Sequence, residues 1–157
     1  MNSSRNIYFQ ARKEASKYDN RLSSRELAAD LLGVAPATLA DYELGNVKVV
    51  PVDKVVLMSD LYNRPELKNW YCKNECPIGK DFPLATEQKG LEGIALRLVS
   101  SFDGAEELKK EIIDIAKDGK ISRDEVEILD RITKQLDQLS ETISEMKIFA
   151  EKVRGTK

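Results

Sequence analysis

Two cysteines, one acidic turn and a complete absence of histidine bound the chemistry open to this 157-residue chain. Cys72 and Cys76 stand four residues apart, and Pro77 and Gly79 break the helix after them. A structural zinc-type site takes four sulfur or nitrogen ligands. With two thiols and no imidazole, one copy supplies half of such a site, and only a dimer completes it. The other readings are small buried groups or free thiols, or a redox switch. A reducing cytoplasm disfavours a stable disulfide. The second candidate is the acidic turn. Asp114, Asp118, Gly119, Ile121, Ser122 and Glu125 fall at positions 1, 5, 6, 8, 9 and 12 of a calcium-binding loop. Ala116 removes the ligand at position 3, and Lys117 and Lys120 add positive charge. The simpler reading is that Gly119 ends one helix while Ser122 and Glu125 form a capping box for the next. No cofactor or metal is expected. No Ser or Cys nucleophile stands beside a base and no Gly-rich phosphate loop is present, so no enzyme is expected either.

The residues of greater interest sit on two short helices that must form within residues 22–45. Ser23 can cap the first, with Glu26 completing a capping box. Leu27, Ala28, Leu31 and Leu32 recur at helical spacing and give one apolar face. Gly33 can take positive φ and end that helix. Pro36 suits the first position of the next. Thr38, Leu39 and Tyr42 carry it on, and Gly45 closes it. Small residues, namely Ala28, Ala29, Gly33 and Ala35, let the two helices cross closely.

This stretch resembles the Cro/C1-type helix-turn-helix family, the XRE family of transcriptional regulators. The resemblance is carried by Leu22, Ser23, Glu26, Leu27, Ala28, Gly33, Val34, Thr38, Leu39, Tyr42, Glu43 and Gly45, and it covers about residues 5–62. It implies a sequence-specific DNA-binding regulator that binds double-stranded DNA, with Arg12 paired to Glu43 across the head. The positions it places on DNA are Ser24, Arg25, Ala35, Pro36, Ala37, Thr38, Asp41, Asn46 and Lys48. Ser24 stands where family members often carry a longer Gln. The outward positions of the second helix hold no Arg, Lys, Asn or Gln to read a base edge bidentately. Thr38 and the alanines can meet thymine methyls, and Asp41 can accept from a cytosine amine. Asn46 and Lys48 lie in a loop over 46–50 that the family brings to the phosphate backbone. A helix-turn-helix fold that has lost strong DNA contacts and binds protein instead is the alternative.

The rest of the chain reads as helix. The expected fold is all-α: an N-terminal five-helix lambda-repressor-like helix-turn-helix head, then a C-terminal helical bundle with a long coiled-coil-like helix. Residues 1–71 form the head, 72–83 a Cys/Pro/Gly connector, and 84–157 a dimerisation or interaction domain. The first helix is expected over 5–19, with Ile7, Tyr8, Ala11, Ala15 and Tyr18 inward. Pro51 starts a helix that buries Val55, Val56, Met58 or Ser59, and Leu61. Another begins near Pro65 on Leu67, Trp70 and Tyr71. Helices follow over 84–103 and 105–117. The last runs from about Arg123 to Val153. Its Leu129, Ile132, Leu136, Leu139, Ile143, Met146, Ala150 and Val153 alternate spacings of 3 and 4, a sustained heptad seam. An in-chain bundle or a homodimer through 84–157 can fill that seam. Residues 1–80 hold 12 basic and 10 acidic residues, net +2, and residues 81–157 hold 13 and 17, net −4. A mildly basic head on an acidic partner domain fits DNA binding. No apolar run approaches a membrane span and no signal core opens the chain, so a cytoplasmic, non-membrane protein is expected.

Overall fold

A computed structural model describes residues 6–155, and among them every regular element is helical. The chain forms two compact units. One takes the chain up to Phe82 together with the stretch from Glu151 onward, and the other is Pro83–Ala150. No helix among the described residues is long and apolar enough to cross a membrane.

The first unit contains α1 (Ile7–Ala15), α2 (Arg25–Leu32), α3 (Pro36–Leu44), α4 (Val52–Leu61) and α5 (Glu66–Asn74). Asn6 caps α1, its side chain accepting from the Tyr8 and Phe9 amides. The helix stops at Ala15 rather than 19, so Tyr18 falls outside its periodicity and stands exposed instead of inward. The cap of α2 is Ser24, not Ser23: Ser24 Oγ accepts from the Leu27 amide at 3.2 Å. Ser23 instead ends the 3-10 turn Asn20–Leu22. Gly33 ends α2 at φ 62°, and Gly45 ends α3 at φ 73°, both in the left-handed region that suits glycine. Pro36 opens α3 at its first turn.

The core of this unit is Tyr8, Ala11, Leu22, Ala28, Ala29, Leu32, Leu39, Tyr42, Val50, Val55, Met58, Tyr62 and Leu67. The inward face of α2 is made by Ala28, Ala29 and Leu32, whereas Leu27 and Leu31 are exposed. Ala28 and Ala29 keep that face small where α2 packs on α3, and Leu27 and Leu31 stand on its flank. Val56 of α4 is likewise exposed, while Val55, Met58 and Ser59 are buried. Gly79 packs against the last turn of α5. A Cβ there would lie 2.4 Å from the Cys72 carbonyl oxygen, so no larger residue fits without backbone movement. The end of the last helix belongs to this unit too: Lys68 pairs with Glu151, and Asn63 Nδ2 donates to the Lys152 carbonyl at 3.4 Å.

The second unit holds α6 (Leu91–Asp103), α7 (Ala105–Ile115) and most of α8 (Val126–Gly155). The helix expected over 84–103 starts only at Leu91. Gly90 is its extended N-cap, and residues 84–90 run without helix along α8, where the Ala85 amide donates to Ser144 Oγ at 3.1 Å. Gly119 has φ 69°, and Ser122 with Glu125 forms the capping box ahead of α8. The heptad seam is only partly used. Ile132 is buried and Leu139, Met146 and Ala150 are half-buried, but Leu129, Leu136, Ile143 and Val153 are exposed. The upper part of α8 turns a polar face inward instead: Thr142, Ser144 and Glu145 are buried beside Ile148. Glu145 takes ion pairs from Lys89 and Arg97. Burial raises its carboxyl, but the hydrogen bonds from Lys89 and Arg97 outweigh that and hold it below the ordinary carboxylate range.

Candidate nucleic-acid interface

The α2–α3 pair is fixed by one buried carboxylate. Glu43, in the last turn of α3, is fully buried and takes both Nε and Nη2 of Arg12 on α1, the latter at 2.9 Å. Arg12 Nη1 also donates to the Leu22 carbonyl at 2.9 Å, tying in the 3-10 turn before α2. The hydrogen bond to Glu43 raises the Arg12 pKa despite burial, so this guanidinium stays charged. Arg25, in the first turn of α2, donates Nε to the same carboxylate at 2.6 Å. Its side chain is 35% exposed, and its terminal NH2 groups remain to donate outward. No spacing in the sequence links Arg25 to Glu43, and the fold pairs them. The Tyr62 phenol lies against this network, and burial first, then the Glu43 carboxylate, pushes its pKa up.

The loop after α3 is pinned at both ends. At one end Asn46 Nδ2 donates to Asp41 Oδ1 at 2.9 Å, and the Asn46 amide donates to the Asp41 carbonyl at 3.0 Å. At the other the Val50 amide donates to Glu75 Oε2 at 2.8 Å. Glu75 also accepts from Tyr8 Oη at 2.7 Å, which links α1, the loop and the end of α5. Burial and that hydrogen bond push the Tyr8 phenol up, so it stays a neutral donor. Between the two pins Lys48 and Val49 are exposed, and Val47 is half-buried. Nothing in residues 8, 50 and 75 marks this connection in the sequence, because it joins three segments far apart in the chain.

The positions expected on DNA therefore separate. Ala35, Pro36, Ala37, Asn46 and Lys48 are exposed, and Ser24, Arg25, Thr38 and Asp41 are half-buried. Ser24 Oγ accepts as the α2 cap, and its hydroxyl proton can still be donated. Asp41 and Asn46 are partners of each other, so one carboxylate oxygen of Asp41 already accepts from an amide. Every outward side chain of α3 before Asp41 is an alanine, a proline or Thr38.

The other candidates resolve differently. Cys72 and Cys76 are free, half-buried thiols in the last turn of α5 and just after it. In the acidic turn, Glu125 Oε2 accepts from both the Ser122 amide at 2.8 Å and Ser122 Oγ at 2.7 Å. Asp114 holds Lys117, and Asp118 accepts from the Lys120 amide. These carboxylates cap and brace the turn. Among the described residues no group of three His, Cys, Asp or Glu side chains is placed to hold a metal ion.

Comparison of the chain with protein-family profiles, with curated proteins and with solved structures finds no match.

Proposed function

We propose that this chain is a cytoplasmic DNA-binding transcriptional regulator whose first unit is a lambda-repressor-like helix-turn-helix head, working as a homodimer through residues 84–157. The observation that carries this reading is the Glu43 network. A fully buried carboxylate at the end of α3 fixes an arginine at the start of α2, leaving one side of its guanidinium open to an anion. Ser24 stands beside it, and Lys48 stands on a loop held at both ends. These groups suit phosphate oxygens, which position a protein on the duplex and supply much of its affinity. The alanine face of α3 suits close approach and thymine methyls, with sequence preference coming partly from duplex shape. Two heads are needed, because each reads few base edges and linking them multiplies weak binding.

A second reading is favoured by a specific feature. Leu27 and Leu31 are exposed on α2 and no base-reading side chain faces out from α3, which also suits a head that docks on protein. Genomic pull-down with the tagged full chain separates the two. Enrichment of a shared duplex motif supports the regulator. Recovery of DNA no richer than bulk genome refutes it and leaves the protein-docking reading.

A further inference from the structure

The face of α6 next to its packed side is not covered by its own unit. Ile94 is buried and Leu98 and Ser101 are half-buried, so they define the packed side. On the adjoining face, Leu91, Ala95, Val99 and Phe102 follow at i, i+4, i+8 and i+11, the spacing that aligns side chains along a helix. Leu91 is 46%, Val99 62% and Phe102 60% exposed, and Leu96 beside them is 73% exposed. Ile113 of α7 is exposed as well. The long helix offers less. Ile132, Leu139 and Met146 are drawn into the unit, and the exposed apolar residues of α8 there, Val126, Leu129, Leu136 and Ile143, stand at 37–44%, with Val153, at 58%, in the first unit.

We infer that the α6 stripe, and not the heptad seam of α8, is the surface through which two copies of this chain pair. This rests on the homodimer reading above and names its interface. The area fits that occupant. At about 150–200 Å² per fully exposed large apolar residue, Leu91, Leu96, Val99 and Phe102 at their observed exposures present on the order of 360–480 Å². A standard interface takes about 800 Å² from each partner, roughly 56–65% of it apolar, or about 450–520 Å². Ala95, small and central in the stripe, lets two such helices approach closely.

Sedimentation equilibrium of the full chain at micromolar concentration tests this, with Val99→Asp, Phe102→Asp and Ile143→Asp as variants. Val99 and Phe102 are exposed, so helicity by circular dichroism should match the parent. Val99→Gln and Phe102→Gln replace any Asp variant that loses helicity. The expected result is a dimeric parent, with self-association weakened at least tenfold in both stripe variants. Stripe variants that stay dimeric overturn the inference, and loss of the dimer in Ile143→Asp alone would assign the interface to α8 with the homodimer reading intact. A monomeric parent overturns both the inference and the homodimer reading. The DNA-binding reading is tested independently by the pull-down.

Discussion

Arg12→Ala is the sharpest test of how the first unit is held together. The substitution removes both donors to the fully buried Glu43 and the donor to the Leu22 carbonyl. Breaking a buried ion pair by deleting one partner costs about 3–5 kcal/mol, because the remaining charge is left buried. Arg25 still reaches Glu43 with its Nε, so the lower end, about 3 kcal/mol, is expected. Arg25→Ala should cost only about 0–1 kcal/mol, since that arginine is partly in water and Glu43 keeps Arg12. The readout can be confined to this unit. Trp70, the one tryptophan of the chain, lies in α5 with its ring 5.7 Å from that of Tyr8. Its fluorescence during thermal unfolding follows the core of the first unit. A unit of this size shifts about 4–8 °C per kcal/mol, so Arg12→Ala should lower its midpoint by about 12–24 °C. The double variant Arg12→Met with Glu43→Leu removes both charges and should recover most of that loss. A drop in Arg12→Ala of less than about 1 kcal/mol, as for an exposed pair, would refute the reasoning. So would a double variant as unstable as the single one.

Three further outcomes follow from other parts of the molecule. Glu145 has a folded pKa below its unfolded value. The stability it contributes is therefore present above the ordinary carboxylate pKa and is lost as pH falls through the depressed one. Acid titration followed by circular dichroism should show this loss in the parent, and Glu145→Gln should flatten it; an unchanged acid profile in Glu145→Gln would contradict the assignment. Gly79→Ala forces a Cβ against the Cys72 backbone and should cost about 1–3 kcal/mol by urea unfolding read at Trp70, whereas a neutral effect would mean that this turn yields freely. Tyr8→Phe removes the hydrogen bond to Glu75 and should cost about 1–3 kcal/mol, with faster amide exchange at Val50; protection of Val50 equal to the parent would show that Glu75 holds the loop without Tyr8.

Local signals carried much of the fold. Gly33, Pro36 and Gly45 each act on the backbone at their own position, so the C-terminal end of α2 and the bounds of α3 follow directly from the sequence. The same holds for Gly119 and the Ser122–Glu125 box. The Arg12–Glu43 pair was legible only through the family resemblance, since no spacing rule links residues so far apart. Where adjacent residues compete for one role, sequence alone does not choose. Ser23 and Ser24 can both cap, and the 3-10 turn ending at Leu22 decides for Ser24. Periodicity also misplaced Leu27, Leu31 and Val56, because it marks a helical face but not which residues of a wide apolar arc find partners. The stretch 84–90 read as helix from its apolar spacing, yet it runs without helix, with the Ala85 amide donating to Ser144 of α8. At the candidate interface, exposure of Lys48 and the alanines was readable. The pairing of Asp41 with Asn46 and the Glu75 anchor were not, since both depend on how the loop returns.

In the proposed function, the head meets a phosphate backbone through the loop between Asn46 and Val50. Fluorescence anisotropy of the full chain on a duplex recovered by the pull-down, titrated at several salt concentrations, measures it directly. The expected result is binding whose log K falls linearly with log salt, and a slope shallower by about one unit in Lys48→Ala with affinity reduced alike on matched and scrambled duplexes. Binding with an unchanged slope and affinity in Lys48→Ala, or no binding at low salt, would contradict it.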